Sequence, residues 1–408
     1  MSGLPPAALA GVRVLDLSRI LAGPSATQLL GDLGADVVKV ERPDEGDDTR
    51  RWGPPYITGT DGELTEESAY YLCANRNKRS IAIDIASPEG QLRVLSLIAQ
   101  ADVLVENYKV GGLAQYGLAY DQLRVLHPRL IYCSITGFGQ TGPYANRPGY
   151  DFLIQGMGGI MSLTGEPDGQ PMKVGVGIAD VMTGMYAATG ILAALHHRHA
   201  SGLGQHIDIS LLDTQIAWLV NAGTNYLTSR NLPRRLGNGH PNIVPYQVFE
   251  TQDAPMILAV GNDSQFARFC ATAGLGALTN DARFATNPQR VANRETLCAL
   301  ITTCLQTRSR SQWLGLLEAA GVPCGPVNNL ADVFSDPHVL ARGAELNMPC
   351  DWAASGSINL LANPLKLSST PVSYRHLPPR LDEHNKDVLR DWLGQQDADL
   401  SPSPPLKI

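Results

Sequence analysis

Two periodicities alternate through the first third of the chain, and that alternation restricts the fold more than any other feature. "VRVLDL" (12–17), "ADVVKVE" (35–41), "SIAIDI" (80–85), "ADVLVEN" (101–107) and "LIYCSITGFG" (130–139) are short β-branched runs. Helix-like stretches lie between them, such as "PSATQLLGDLG" and "SPEGQLRVLSLIAQ". In the second, Ser87 is placed to cap, Pro88 takes the first helical position and Glu89 puts acid in the first turn. Strands that alternate with helices demand right-handed crossovers, so they predict a mainly parallel sheet covered on both faces. Ligands of such sheets gather at the carboxyl ends of the strands.

From about 177 to 223 the pattern is helical, interrupted by "GLGQHIDIS", which reads as a turn and a short strand. Residues 224–244 read as a polar Gly/Pro/Asn-rich connection. A second α/β segment follows, with "YQVFETQDAPMILAVG" as a hairpin, helices to about 320 and "GVPCGPVNNL" (321–330) as a further join. "INLLANPLKLS" reads as strands, and the tail ends in "SPSPPLKI".

Composition removes several function classes. The chain is 44% hydrophobic and 17% charged, an ordinary globular balance. Its 32 Lys+Arg against 39 Asp+Glu give a net charge of -7, which argues against a nucleic-acid partner but leaves room for a local basic pocket. Seven cysteines form no C-x-x-C pair, as expected of reduced thiols in a cytoplasmic protein. "MSGLPPAALAGVRVLDL" lacks a basic segment followed by an apolar one, so no signal peptide is expected. The uncharged run on either side of Asp180 contains Gly and Thr and lacks the unbroken apolar length of a membrane span. No G-x-G-x-x-G opens a helix after the first strand, and neither G-x-x-x-x-G-K-[ST] nor G-x-S-x-G is present.

Asp180, alone in the long uncharged stretch "GVGIADVMTGMYAATGILAAL", has two readings. An Asp just before a helical pattern is usually an N-cap. A helix N-terminus also stabilises an ionised carboxylate, while an apolar pocket strips its hydration, and a desolvated carboxylate can attack an acyl carbon. The basic cluster Arg76, Lys78 and Arg79 reads either as a solvated loop or as a collector of phosphate at a strand end, with Arg42 at another strand end. His196, His197, His199 and His206 crowd a helix C-terminus, but no carboxylate completes a ligand set, so no metal is expected. "RLGNGHPNIVPY" (235–246) reads as a linker or as a mobile lid.

Taken in order, "VLDLSRILAGPSATQLLGDLGADVVKVERP", "NRNKRSIAIDI", "DVLVENY", "SITGFGQTGPYANRPGYD", "GIADVMTGMYAATGILAALHHRHASGLGQHIDISLLD" and "GVPCGPVNNL" resemble the class III CoA-transferases, the family of formyl-CoA transferase and crotonobetaine CoA-transferase. "GDDTRRWGPPY", "YYLCANRNKRSIAIDI" and "NGHPNIVPYQVFET" are most similar to the branch that moves CoA between succinate and hydroxymethylglutarate. The resemblance implies a large Rossmann-like open-sheet α/β domain built from both chain ends (1–223 and 331–408), a smaller α/β middle domain (224–330), and an interlocked homodimer.

By the same resemblance Asp180 is the nucleophile, forming an aspartyl anhydride and then an aspartyl-CoA thioester. No permanently bound cofactor is implied; the CoA thioester is itself a substrate, and a small carboxylic acid is the other. CoA is expected at Ile20, Ala22, Arg42, Asn75, Arg76, Lys78, Asn107 and Tyr108. Gly237, Asn238 and Gly239 match the family's glycine-rich loop, and Tyr150 and Arg147 are expected near substrate. A dicarboxylate would want an arginine fork, for which Arg147, Arg234 and Arg235 are candidates. Gln115 stands where relatives carry Arg, with Lys109 nearby. Racemases of this family use His in "GHD"; here the motif is "GYD", and a phenol with an ordinary pKa of about 10 is a poor base at neutral pH. A non-catalytic CoA-binding paralogue is the remaining alternative.

Overall fold

The computed structural model describes residues 7–395 of the chain. Two compact units divide it: one takes in the chain to Gly159, Val174–Trp218 and the chain from Leu340 onward, the other Ile160–Lys173 and Leu219–Val339.

The main sheet of the larger unit has six strands, β1 (Arg13–Asp16), β2 (Asp36–Glu41), β3 (Lys78–Ala82), β4 (Val103–Glu106), β5 (Ile131–Thr136) and β6 (His206–Ser210). They lie side by side in the order β3-β2-β1-β4-β5-β6, every neighbouring pair parallel. That is the doubly wound order, with its switch point between β1 and β4. The apolar runs are continuous because both faces are covered: Val14 and Leu15, Val37 and Val38, Leu104 and Val105 are all buried. "SIAIDI" pairs two residues earlier than expected, because β3 starts at Lys78 to match Val37 on β2.

Around the sheet lie α1 (Ala22–Asp32), α2 (Pro88–Ile98), α3 (Asp151–Met157), α4 (Ile178–Ser201) and α5 (Leu211–Ala217). The Ser87 hydroxyl accepts from the Gly90 N–H with Pro88 behind it, as the local sequence requires. At 24 residues and a mean hydropathy of 1.5, α4 is long and apolar enough to cross a membrane, the single such helix among the described residues. Its Thr183, Ala187, Ile191 and Ala194 are buried at helical spacing in the core shared with α1 and the sheet, which is the place of a core helix. Gly184 permits that packing, since a Cβ there would meet the Ala22 carbonyl oxygen at 2.7 Å. The helix ends on Gly202 at φ 75°, with Arg198 and His199 in its last turn.

The segment that follows the middle unit is fastened to the sheet and to α1 at two places. Asp32 accepts from the Arg76 guanidinium at 3.0 and 2.6 Å, from Asn77 at 2.7 Å and from Asn363 at 2.9 Å. Farther along that segment, Trp392 donates its indole N–H to Asp36 and Arg79 bridges Asp36 to Asp391.

The smaller unit has a three-stranded antiparallel sheet of Cys324–Pro326, Pro255–Ala259 and Tyr246–Glu250 in that order, around which helices bury Phe249, Phe266, Phe269, Ile301 and Trp313. The expected hairpin is there, and the join at 321–330 supplies the third strand. The expected connection begins inside a helix, Val220–Ser229, which the polar composition of its second half had hidden. Residues 160–173 also join this unit, an excursion no composition shift marks. The Arg235 guanidinium donates to the carbonyls of Glu166, Pro167 and Gly169, and the Gly237 N–H to Gly165, holding the two segments together.

Candidate active site

The switch point opens into a cleft of about 410 Å³ within the larger unit. The lining includes the turn after β1, with Arg19, Ile20, Leu21 and Ala22, the segment after β4, with Asn107, Tyr108 and Lys109, and Arg147 to Tyr150 with Asp180. Sequence reasoning placed Ile20, Ala22, Asn107, Tyr108, Arg147 and Tyr150 at one site with Asp180, and the fold brings them to one cleft.

The turn after β1 is strained. Ile20 has φ 74°, a left-handed value that a β-branched residue rarely adopts and that costs about 1–3 kcal/mol. The surroundings over-determine it. The Ile20 N–H donates to both oxygens of Asp47 at 3.2 Å, and the Asn107 side chain accepts from the Arg19 N–H and donates to the Arg19 carbonyl. Asp47 is itself locked by a fully buried ion pair to Lys39 at 2.8 Å, while Lys39 donates to the Ser18 carbonyl. Burial alone would push the Asp47 carboxyl up; the Lys39 ammonium and the Thr49 donors outweigh it and hold it at about 2. Asp16 beneath it is likewise held low against burial by Lys78 and Lys39.

Asp180 is treated oppositely. It occupies the third position of α4, not the cap, which is Gly177; Asp151 takes the capping task, its Oδ1 accepting from the Ala179 N–H at 2.8 Å. The N-cap reading of Asp180 therefore fails by three residues. No ion pair reaches its carboxylate among the described residues. Burial, with the charge of Asp151 next, pushes its pKa up to about 7. A phenol nearby, Tyr70, is pushed up to about 12 by burial and then by the Asp180 charge. Neither Asp47, Asp151 nor Tyr70 was singled out from the sequence, since no local pattern ties any of them to residue 180.

Other expected contacts lie elsewhere. Asn75, Arg76 and Lys78 are buried and off the cleft wall. Lys78 donates to Asp16, Asn75 and the Pro24 carbonyl, and Arg76 is held by Asp32 and the Leu361 carbonyl. The basic cluster is thus neither a solvated loop nor a phosphate collector: its charges are neutralised inside the protein. Arg42 lines a smaller adjoining pocket of about 20 Å³ that shares Arg19 and Tyr108 with the cleft. Gln115 lines the cleft and donates to the Gly112 carbonyl. Gly237, Asn238, Gly239, Arg234 and Arg235 belong to the smaller unit, where the loop turns at Gly237 with φ 55°.

A sheet in the doubly wound order opens at its switch point on a cleft that holds a carboxylate without an ion-pair partner among the described residues, the arrangement of an α/β ligand-binding domain. Comparison with known proteins gives the class its name: residues 9–385 match the model of CoA-transferase family III, and the chain belongs to that family and is a CoA-transferase. It is 52% identical to the succinate–glutarate CoA-transferase of Agrobacterium fabrum over 95% of this chain and 96% of that one. It is 42% identical to the human succinyl-CoA:glutarate CoA-transferase over 97% and 88%. Among solved structures, a CAIB/BAIF family protein from Brucella suis superposes with a TM-score of 0.83 at 48% identity, covering 95% of this chain and all of that one.

Proposed function

We propose that this enzyme moves CoA from succinyl-CoA to a small dicarboxylic acid such as glutarate, through covalent adducts on Asp180. The observation that carries the reading is the desolvated, unpaired carboxylate of Asp180 in the switch-point cleft. The names of the relatives supply the substrates.

The Asp180 carboxylate attacks the thioester carbonyl of the donor, and the C–S bond breaks to give an aspartyl–succinyl anhydride and the CoA thiolate. The thiolate attacks the aspartyl carbonyl, releasing succinate and leaving an aspartyl-CoA thioester. The acceptor carboxylate then attacks that thioester, expelling the thiolate and forming a second anhydride. Attack of the thiolate on the acceptor's acyl carbon yields the new acyl-CoA and frees Asp180. A carboxylate with a raised pKa is a better nucleophile than an ordinary one, and with a pKa of about 7 a substantial fraction of Asp180 is ionised at neutrality. Water must be kept out, since both adducts hydrolyse. Arg42 in the adjoining pocket suits the nucleotide end of CoA, with the thioester arm running along Tyr108 and Asn107 toward Asp180.

The apolar side chains left open on α3 and α4, among them Phe152, Leu153, Met185 and Tyr186, favour a homodimer. A racemase reading lacks its base, because Tyr150 stands where one is required. Incubation with succinyl-CoA followed by peptide mass spectrometry tests the proposal. An acyl or CoA adduct on the Asp180 peptide, absent from Asp180→Asn, is expected; α-deuterium exchange in a 2-methylacyl-CoA without such an adduct would overturn it.

A further inference from the structure

Of the arginines that could read the second carboxylate of a dicarboxylate, Arg235 is occupied by three backbone carbonyls of its own unit. Arg147 is on the cleft wall with Asp180. Its guanidinium sits 4.5 Å from the ring centroid of Tyr144 and 5.3 Å from that of Phe138, and no carboxylate pairs with it among the described residues. The other arginine of the cleft, Arg19, is already paired with Asp48 at 2.7 Å.

We infer that Arg147 recognises the distal carboxylate of the dicarboxylic acyl group and so sets the enzyme's substrate class. The inference rests on the transferase reading above. A planar guanidinium presents two parallel N–H donors to a carboxylate, and stacking on two rings orients it before the ligand arrives. Pre-orientation of a long side chain lowers the entropy lost on binding. Lys109, the remaining cation of the wall, offers a point charge on an exposed stem that suits a phosphate better than a fork-shaped contact. Arg147 also lies four residues before Asp151, whose carboxylate holds the first turn of α4, so its segment is tied to the nucleophile. Leu21, Ile135 and Leu211 on the cleft lining give the intervening methylenes an apolar path. Because donor and acceptor acyl groups occupy the same place in turn, one arginine reads both.

The test compares Arg147→Met and Arg147→Lys with wild type on matched substrates: succinyl-CoA against butyryl-CoA as donor, glutarate against pentanoate as acceptor. The glutarate-to-pentanoate ratio of kcat/KM, and the matching donor ratio, should each fall about 100-fold in Arg147→Met. Arg147→Lys should lose much of the same preference, because the charge remains but the fork does not. Equal losses on charged and uncharged substrates, or unaltered ratios, would overturn the assignment. Failure of the wild-type enzyme to form any Asp180 adduct would instead sink the covalent mechanism proposed above, and this assignment with it.

Discussion

Three aspartates lie within or beneath one cleft, and the protein handles them in two opposite ways. Asp16 and Asp47 are buried among cations: Lys39 and Lys78 outweigh the desolvation and keep both carboxyls ionised and inert. Asp180 has desolvation without compensation, and its nearest charged neighbour is another carboxylate, Asp151. The same functional group becomes a strut in one place and a reagent in the other. What distinguishes them is above all the supply of counter-charge: the two struts, though fully buried, are compensated, and the only partly buried Asp180 is not.

The comparison breaks most severely at the reagent. Asp180→Ala should lower transfer by on the order of 10⁴-fold while leaving the circular dichroism spectrum intact, because nothing is built on that carboxylate. Next comes a strut. Lys39→Met leaves Asp47 as an uncompensated buried charge and should cost about 3–5 kcal/mol in chemical denaturation. It should also raise KM for CoA thioesters by loosening Ile20.

The reagent's titration gives a subtler test. With a pKa of about 7, Asp180 becomes ionised as pH rises, so kcat/KM should climb across neutrality and then level off. Asp151→Asn removes the neighbouring negative charge and should move that limb to lower pH by about one unit. An unmoved limb would mean that burial alone sets the pKa. The smallest effect concerns stability. A carboxyl raised in the fold contributes stability that is full below its unfolded value near 3.8 and is lost as pH rises through about 7. Wild type should therefore lose melting temperature relative to Asp180→Asn between pH 4 and 7, by a few degrees at most.

Local features were legible in the sequence: the β-branched runs that form β1 to β5 and the Ser87–Pro88 helix start all depend on neighbours within a few residues. Asp180 drew notice as a lone charge, yet its role in the helix was misread, because a shift of three residues separates a cap from a first-turn position. The ion pairs were not legible. Arg76 meets Asp32 and Lys78 meets Asp16 across 44 and 62 residues, and a basic cluster looks the same whether its partners are solvent or distant carboxylates. The excursion at 160–173 was hidden for the same reason: backbone carbonyls hold it, and every sequence has those.

Since Asn363 and Trp392 add to the bonding of Asp32 and Asp36, the sheet that holds the cleft is finished only by residues that follow the middle unit in the chain. A nascent chain emerging at about 5–20 residues per second must carry the buried Asp32 without Asn363, and the partly exposed Asp36 without Trp392, through synthesis of the entire middle unit. The order of synthesis thus delays the enzyme's assembly: truncation before residue 391 should leave a sheet whose rim lacks the Asp391 and Trp392 contacts, however intact the nucleophile and its cleft-lining residues remain.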